Sequence, residues 1–352
     1  MIPVMIDLRS DTVTHPTPAM RRAMAEAEVG DDVYREDPTV LRLEELAAQT
    51  LEFPAALFVP TGTMGNQLAV HLQTRPGSEV IIEARGHICN FEMGAMAVWS
   101  GALPRPIVTE TGLLEPSQVE AAIAPNVSYR TPTRLLALEN THNLWSGLPM
   151  DAARTRALAE VAHEHGIPVH LDGARIFNAA AALGTTAAEL VRGCDTVMFC
   201  LSKGLAAPVG SMLLGSRDLI EEAVRARKLF GGGIRQVGVL AAAGIVALTE
   251  MVSRIGEDHV RAKRLAEGLA ALPAVSIDPA RVSTNILVFR LRPEKVPGNA
   301  AVAPSERFVA GMKEQRVLLG AFGATDVRMV THYEITDADV ETTLRATRVV
   351  LR

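Results

Sequence analysis

Six short apolar runs, at 56–59, 79–82, 135–138, 169–171, 196–201 and 211–214, recur along the chain with helix-like stretches between them. Runs of this length without polar alternation read as strands buried on both faces. Strand signals that alternate with helix signals predict an α/β fold, a mostly parallel sheet covered by helices on both sides. Near 251–256 the pattern changes. A helix over 258–269, a strand over 283–291, a helix over 305–314, two short strands and a last helix over 337–351 follow, which predicts a smaller α+β domain. The 352 residues exceed one ordinary core. We therefore divide the chain into a large domain, 1–253 with the N-terminal segment included, and a small C-terminal domain, 254–352.

Composition excludes several classes. Only 4% of residues are aromatic although 48% are hydrophobic, so Ala, Leu and Val must build most of the core. The formal net charge is −5 and no long basic run occurs, which argues against nucleic acid as a partner. The longest apolar stretch, 237–248, is too short to span a bilayer and reads as a buried or interfacial helix, so no membrane partner is expected. Asp7 and Arg9 interrupt the N-terminus before a signal-type apolar segment forms. Cys89, Cys194 and Cys200 are odd in number and lack C-x-x-C spacing, which suits free thiols in the cytoplasm. His163 and His165 stand two apart and share no helix face, so no metal site is expected.

In open α/β sheets, ligands sit beyond the carboxyl ends of the strands. Lys203 follows the run 196–201, where a poorly hydrated amine suits nucleophilic work. Asp172 ends the run before it, one crossover helix and one strand upstream. This is the pairing pyridoxal phosphate (PLP) chemistry requires: the lysine forms a Schiff base and the aspartate holds the pyridinium proton. After 56–59, Gly62 and Thr63 open a helix whose N–H groups suit a phosphate, although alone they read better as a plain strand-to-helix turn. His87, after 79–82, reads as a ring that stacks on a planar cofactor, as a proton shuttle, or as a structural histidine. His142, in the polar run 139–143, is a general-base candidate. Arg175, one turn past Asp172, suits a carboxylate or a local ion pair equally. Lys228 and Arg235 flank three glycines, either around an anion or on a solvated loop. Arg328 alternates on a half-exposed strand and either clamps a carboxylate or faces solvent.

The stretches 7–14, 30–34, 36–40, 60–66, 139–143, 170–175 and 231–236, in this order, resemble the low-specificity L-threonine aldolases, PLP enzymes of fold type I. The resemblance runs from about Asp7 to the C-terminus. It implies a mostly parallel seven-stranded sheet in the large domain. It also implies retro-aldol cleavage of L-threonine, L-allo-threonine and other β-hydroxy-α-amino acids to glycine and an aldehyde. The alternative is another fold type I PLP reaction on an amino acid, such as β-elimination or racemisation. By the resemblance, Lys203 carries the cofactor, Asp172 pairs with its ring nitrogen, His87 stacks on the ring, and Gly62 and Thr63 bind its phosphate. Lys228 and Arg235 reach that phosphate from a neighbouring subunit of a homotetramer. Ser10, Arg175 and Arg328 hold the substrate carboxylate, with His142 and Tyr34 near its side chain. His142 is the preferred base for the β-hydroxyl proton, and His87 the rival. Phe91 (often tyrosine in the family), Arg35 and the segment 144–146 depart from the family pattern and bear on side-chain selectivity.

Overall fold

A computed structural model describes residues 5–125 and 127–352. Strand β1 (Ile6–Asp7) precedes helices α1 (Pro18–Ala25) and α2 (Pro38–Leu51). Local chemistry sets the start of α2. Asp37 Oδ1 accepts from the N–H groups of Thr39 and Val40 at 3.1 and 3.0 Å, and Pro38 occupies the first turn, where its missing N–H costs nothing. The face of Val40, Leu43, Ala47 and Leu51 is buried in the main core. The alternating region begins with β2 (Ala55–Val59), α3 (Gly62–Gln73), β3 (Glu79–Glu83), α4 (His87–Asn90), α5 (Ala95–Ser100), β4 (Leu103–Ile107), α6 (Pro116–Ala122) and β5 (Thr133–Glu139). It continues through α7 (Ala152–Glu164), β6 (Val169–Asp172), α8 (Ile176–Leu183), α9 (Ala187–Val191), β7 (Thr196–Cys200), β8 (Ser211–Gly215) and α10 (Arg217–Leu229).

The seven strands of the large sheet lie in the order β2-β8-β7-β6-β5-β3-β4. Only β8 runs against its neighbours, so the other six strands point their carboxyl ends to one edge. Strand β4 escaped the sequence reading because Pro104 and Pro106 break its apolar pattern. An edge position tolerates them, since a proline on the unpaired side costs no ladder bond.

Helix α11 (Gly238–Val246) continues through a wide turn at Ala247–Met251 and a tight one at Val252–Arg254 into α12 (Ile255–Ala270). The continuous stretch Gly238–Ala270 is long and apolar enough, by length and composition, to cross a membrane. Here Ala241, Ala243, Ala247 and Met251 are spent on the main core instead. The domain boundary expected at 253/254 therefore falls inside one helical connection. The small domain adds β9 (Val275–Ser276), β10 (Ile286–Leu291), α13 (Pro304–Glu314), β11 (Val317–Leu318), β12 (Gly320–Ala321), β13 (Asp326–Val330) and α14 (Asp337–Val350). Its antiparallel sheet has the order β12-β13-β10-β9. The N-terminal segment corrects the division expected from sequence. β1 pairs in parallel with β11, and Leu8 is buried in the small-domain core. A two-residue strand is too short to carry a pattern that reveals its partner.

Candidate active site

The register of the large sheet lines up its carboxyl edge: Glu139 on β5 stands beside Asp172 on β6, which stands beside Met198 on β7. The turns beyond these strands carry the chemistry. His87 and Phe91 follow β3, Asn143 follows β5, Arg175 follows β6 and Lys203 follows β7, and all five line one cavity of about 220 Å³. The remaining walls are Ser10 and Thr12 of the N-terminal segment, with Phe322 and Arg328 of the small domain. Both domains thus supply the site, and Lys203 is half-buried at its wall.

Asp172 is held by a buried network. Its Oδ2 accepts from Asn66 Nδ2 at 2.8 Å and its Oδ1 from the Ala174 N–H at 3.1 Å. The same Asn66 nitrogen donates to Glu92 Oε1 at 2.8 Å, and Asn66 Oδ1 accepts from His170 Nε2 at 3.0 Å. Thr196 Oγ1, itself taking a bond from Gln73 Nε2 at 2.9 Å, lies 2.9 Å from His170 Nδ1. Burial pushes His170 down to about 4, so it is neutral at pH 7 and can donate and accept in one fixed direction. His87 Nδ1 lies 3.0 Å from Glu92 Oε1 and 3.9 Å from Asp172 Oδ2. Burial lowers the His87 imidazole. The Glu92 hydrogen bond and the charges of Asp172 and Glu92 outweigh burial and leave it raised. The ligand-capable atoms of His87, Glu92 and Asp172 lie within 4.8 Å of one another, but they already bond to each other or to Asn66.

The cationic side of the cavity holds two arginines in different states. Arg175 is buried and donates from Nε and Nη2 to Asp11 at 2.7 and 2.6 Å. Burial lowers its pKa and Asp11 more than restores it. Among the described residues Arg328 meets only neutral acceptors, Asn143 Oδ1 at 2.8 Å and the Arg9 carbonyl at 3.3 Å, and its guanidinium lies 4.8 Å over the Phe322 ring. Burial first, and the Arg175 charge next, pull Arg328 down to about 10. Its Nε is buried without a partner among the described residues. A cation so placed calls for an anion, as a substrate carboxylate would supply.

The expected cofactor suits these residues. The N–H groups of Gly62 and Thr63, at the start of the 12-residue α3, have no acceptor among the described residues, and Thr61 caps that start through the Met64 N–H at 3.1 Å. Lys203, Asp172 and His87 stand on the same sheet edge as this helix terminus.

Other expected residues lie elsewhere. His142 is buried outside the cavity, its Nε2 3.0 Å from Glu83 Oε2. Burial lowers it, and Glu139 and Glu83 overcome this to raise it. Its neighbour Asn143 enters the cavity instead, because the 3-10 turn Asn143–Trp145 rotates successive side chains apart. Lys228 and Arg235 lie outside the cavity, Arg235 bound to Asp31 at 3.0 Å, and Tyr34 is 71% exposed. Arg35 turns inward to Asp32 and Glu44, and Trp145 packs under Arg85 at 5.1 Å, so of the departures only Phe91 lines the cavity. Sequence reasoning missed Asp11, Asn66, Glu92, Asn143 and Phe322 as site residues. Asp11 and Asn66 sit inside quoted motifs, but nothing local marks Glu92 or Phe322.

A family model described as beta-eliminating lyase matches residues 7–292. Low-specificity L-threonine aldolase 1 of Arabidopsis thaliana is 43% identical over 349 residues, covering 98% of this chain and 96% of that protein. A solved threonine aldolase from Leishmania major matches with a TM-score of 0.82 at 19% identity, covering 99% of this chain and 100% of that one. The enzyme SPT, solved with PLP, matches with a TM-score of 0.75 at 17% identity, covering 98% of this chain and 87% of that one. At these identities the two structural likenesses carry the fold.

Proposed function

This chain belongs to the β-eliminating lyase family and, within it, to the low-specificity L-threonine aldolases, and we propose that it uses PLP to cleave L-threonine, L-allo-threonine and related β-hydroxy-α-amino acids to glycine and an aldehyde. The observation that carries this reading is one cavity uniting Lys203, His87 and an Arg328 whose Nε has no partner among the described residues. When bound, the cofactor supplies an electron sink at the substrate Cα. The chain does the rest. Lys203 would hold the cofactor through its amine, Asp172 would hold the ring-nitrogen proton, His87 would pack on the ring, and Gly62 and Thr63 would take the phosphate. Arg328, with Ser10 and the free edge of Arg175, holds the substrate carboxylate. A fixed carboxylate selects which bond at Cα is cleaved. His87 takes the β-hydroxyl proton, because it lines the cavity and His142 does not. His142 serves the site by anchoring the turn that presents Asn143 to Arg328.

The test is acetaldehyde release from purified, PLP-loaded protein with L-threonine, L-allo-threonine and D-threonine in parallel. Release from the L isomers alone is expected. 2-Oxobutyrate and ammonia without aldehyde, the products of β-elimination of water from threonine, would favour a β-lyase, a reading that Phe91 keeps open. Arg328→Ala should raise KM for L-threonine roughly 10- to 100-fold, the loss of one charge-assisted contact, and leave PLP retention unchanged. An unmoved KM would remove Arg328 from the carboxylate site.

A second copy completes the site in this reading, in a homotetramer that brings Lys228 and Arg235 to the phosphate of a partner's cofactor. The exposed apolar residues Met93, Val98, Trp99 and Leu229 support such an interface. A monomer by light scattering that still released acetaldehyde would end this reading. Three free cysteines, two of them buried, suit the cytoplasm. Fractionation of cells expressing the protein tests that assignment.

A further inference from the structure

We infer that Glu92 is the positioning residue of the site's base: it fixes the His87 tautomer with the proton on Nδ1 and leaves Nε2 as the proton acceptor in the cavity. The inference rests on the aldolase reading for the acceptor's role, but its geometry stands alone. Glu92 follows α4 in a turn and is 1% exposed. A buried carboxylate needs donors, and Glu92 has three: Asn66 Nδ2 at 2.8 Å, Gln67 Nε2 at 2.5 Å and His87 Nδ1 at 3.0 Å. Asn66 and Gln67 are adjacent on α3, so the helix presents two amides that can only donate here. Glu92 therefore accepts from all sides, and the shared edge of His87 must carry a proton. His87 lines the cavity, and its Nε2 has no partner among the described residues and is not sealed from the cavity.

Other groups around the ring agree with this order. Asp172, at 3.9 Å, supports a protonated Nδ1, Lys203 opposes added positive charge, and Glu139 Oε2 accepts the His87 backbone N–H at 2.6 Å and so holds α4 in place. The unit is a carboxylate–histidine pair in which the carboxylate orients the ring and raises its basicity without touching substrate.

Glu92→Gln tests this without emptying the site. Gln67 Oε1 is buried without a partner, so a flip of the Gln67 amide lets the new side-chain N–H donate to it. The isosteric variant is therefore expected to fold. Because Glu92 raises the His87 imidazole, its removal must lower it. Diethyl pyrocarbonate acylates only the neutral imidazole, so its rate at His87, followed by peptide mass spectrometry across pH on the full-length protein freed of cofactor, reports that midpoint. The midpoint should fall by about one pH unit in Glu92→Gln, while surface His15 does not move. In the loaded protein the acid limb of kcat/KM for L-threonine should move down with it, and the plateau should drop about tenfold because the base is weaker. Glu92→Asp, which keeps the charge, should restore the midpoint most of the way. An unmoved His87 midpoint in Glu92→Gln, or equal shifts in both variants, would overturn the inference. A shifted midpoint in protein that released no aldehyde would uphold the pair and overturn the aldolase reading.

Discussion

Lys203→Ala is expected to abolish aldehyde release and the visible absorbance of lysine-bound PLP, with little change in the fold. The turn that carries Lys203 is held by its backbone, not by its side chain. The Lys203 carbonyl accepts from Thr14 Oγ1 at 3.1 Å and from the Ala206 N–H at 2.8 Å. Truncating a half-exposed side chain there should cost under about 1 kcal/mol of stability. The chemistry has no substitute amine, because no other lysine lines the cavity. Turnover should fall by at least about a thousandfold, more than ~4 kcal/mol of barrier. The measurement is the absorbance spectrum and acetaldehyde assay of the variant beside the wild type, with circular dichroism to check folding. Retained absorbance with retained turnover would place the cofactor lysine elsewhere.

Asp11→Ala should produce the largest loss of stability. Asp11 is fully buried and joins three parts of the molecule: its own N-terminal segment, Arg175 of the large domain at 2.6 and 2.7 Å, and Asn285 of the small domain at 3.1 Å. Removing it strands the buried Arg175 guanidinium without a counter-ion. Such half-pairs cost about 3–5 kcal/mol. The loss should appear as a lower urea midpoint at pH 7 and fixed protein concentration. A wild-type midpoint would mean that Arg175 finds another partner. The pH dependence has a definite sign. Burial alone would push the Asp11 carboxyl up, but the charge and hydrogen bonds of Arg175 hold it well below the usual carboxylate range. Its contribution is therefore fully present above about pH 4, the ordinary carboxylate pKa. It is lost as pH falls from there through the lowered value. The gap between wild type and Asp11→Ala should accordingly narrow in acid.

Much of this site is legible in the order of the residues. A strand buried on both faces has a local signature, and the polar residue that ends it must stand at the sheet edge. Lys203 and Asp172 could be placed there without coordinates, as could the helix start at Gly62 and Thr63. Glycine, hydroxyl and carboxylate residues at these turns act through backbone geometry that a few neighbours determine.

Side-chain direction in loops and the choice of distant partners are different. In the run 139–143 the sequence marks a polar cluster, but the 3-10 turn turns Asn143 into the cavity and leaves His142 against Glu83. Glu92 looks like any acidic residue until α3 brings Asn66 and Gln67 against it. β1 is two residues long, and its place is set by parallel pairing with β11, more than 300 positions away in the chain. The pairings Asp11–Asn285 and Arg328–Arg9 join the two ends of the chain, beyond the reach of any periodic pattern. The sequence by itself determined the mostly parallel sheet and the residues at the strand ends, because burial imprints short-range periodicity. The tertiary structure alone decided which carboxylate each of these residues faces, because that depends on packing between segments hundreds of positions apart.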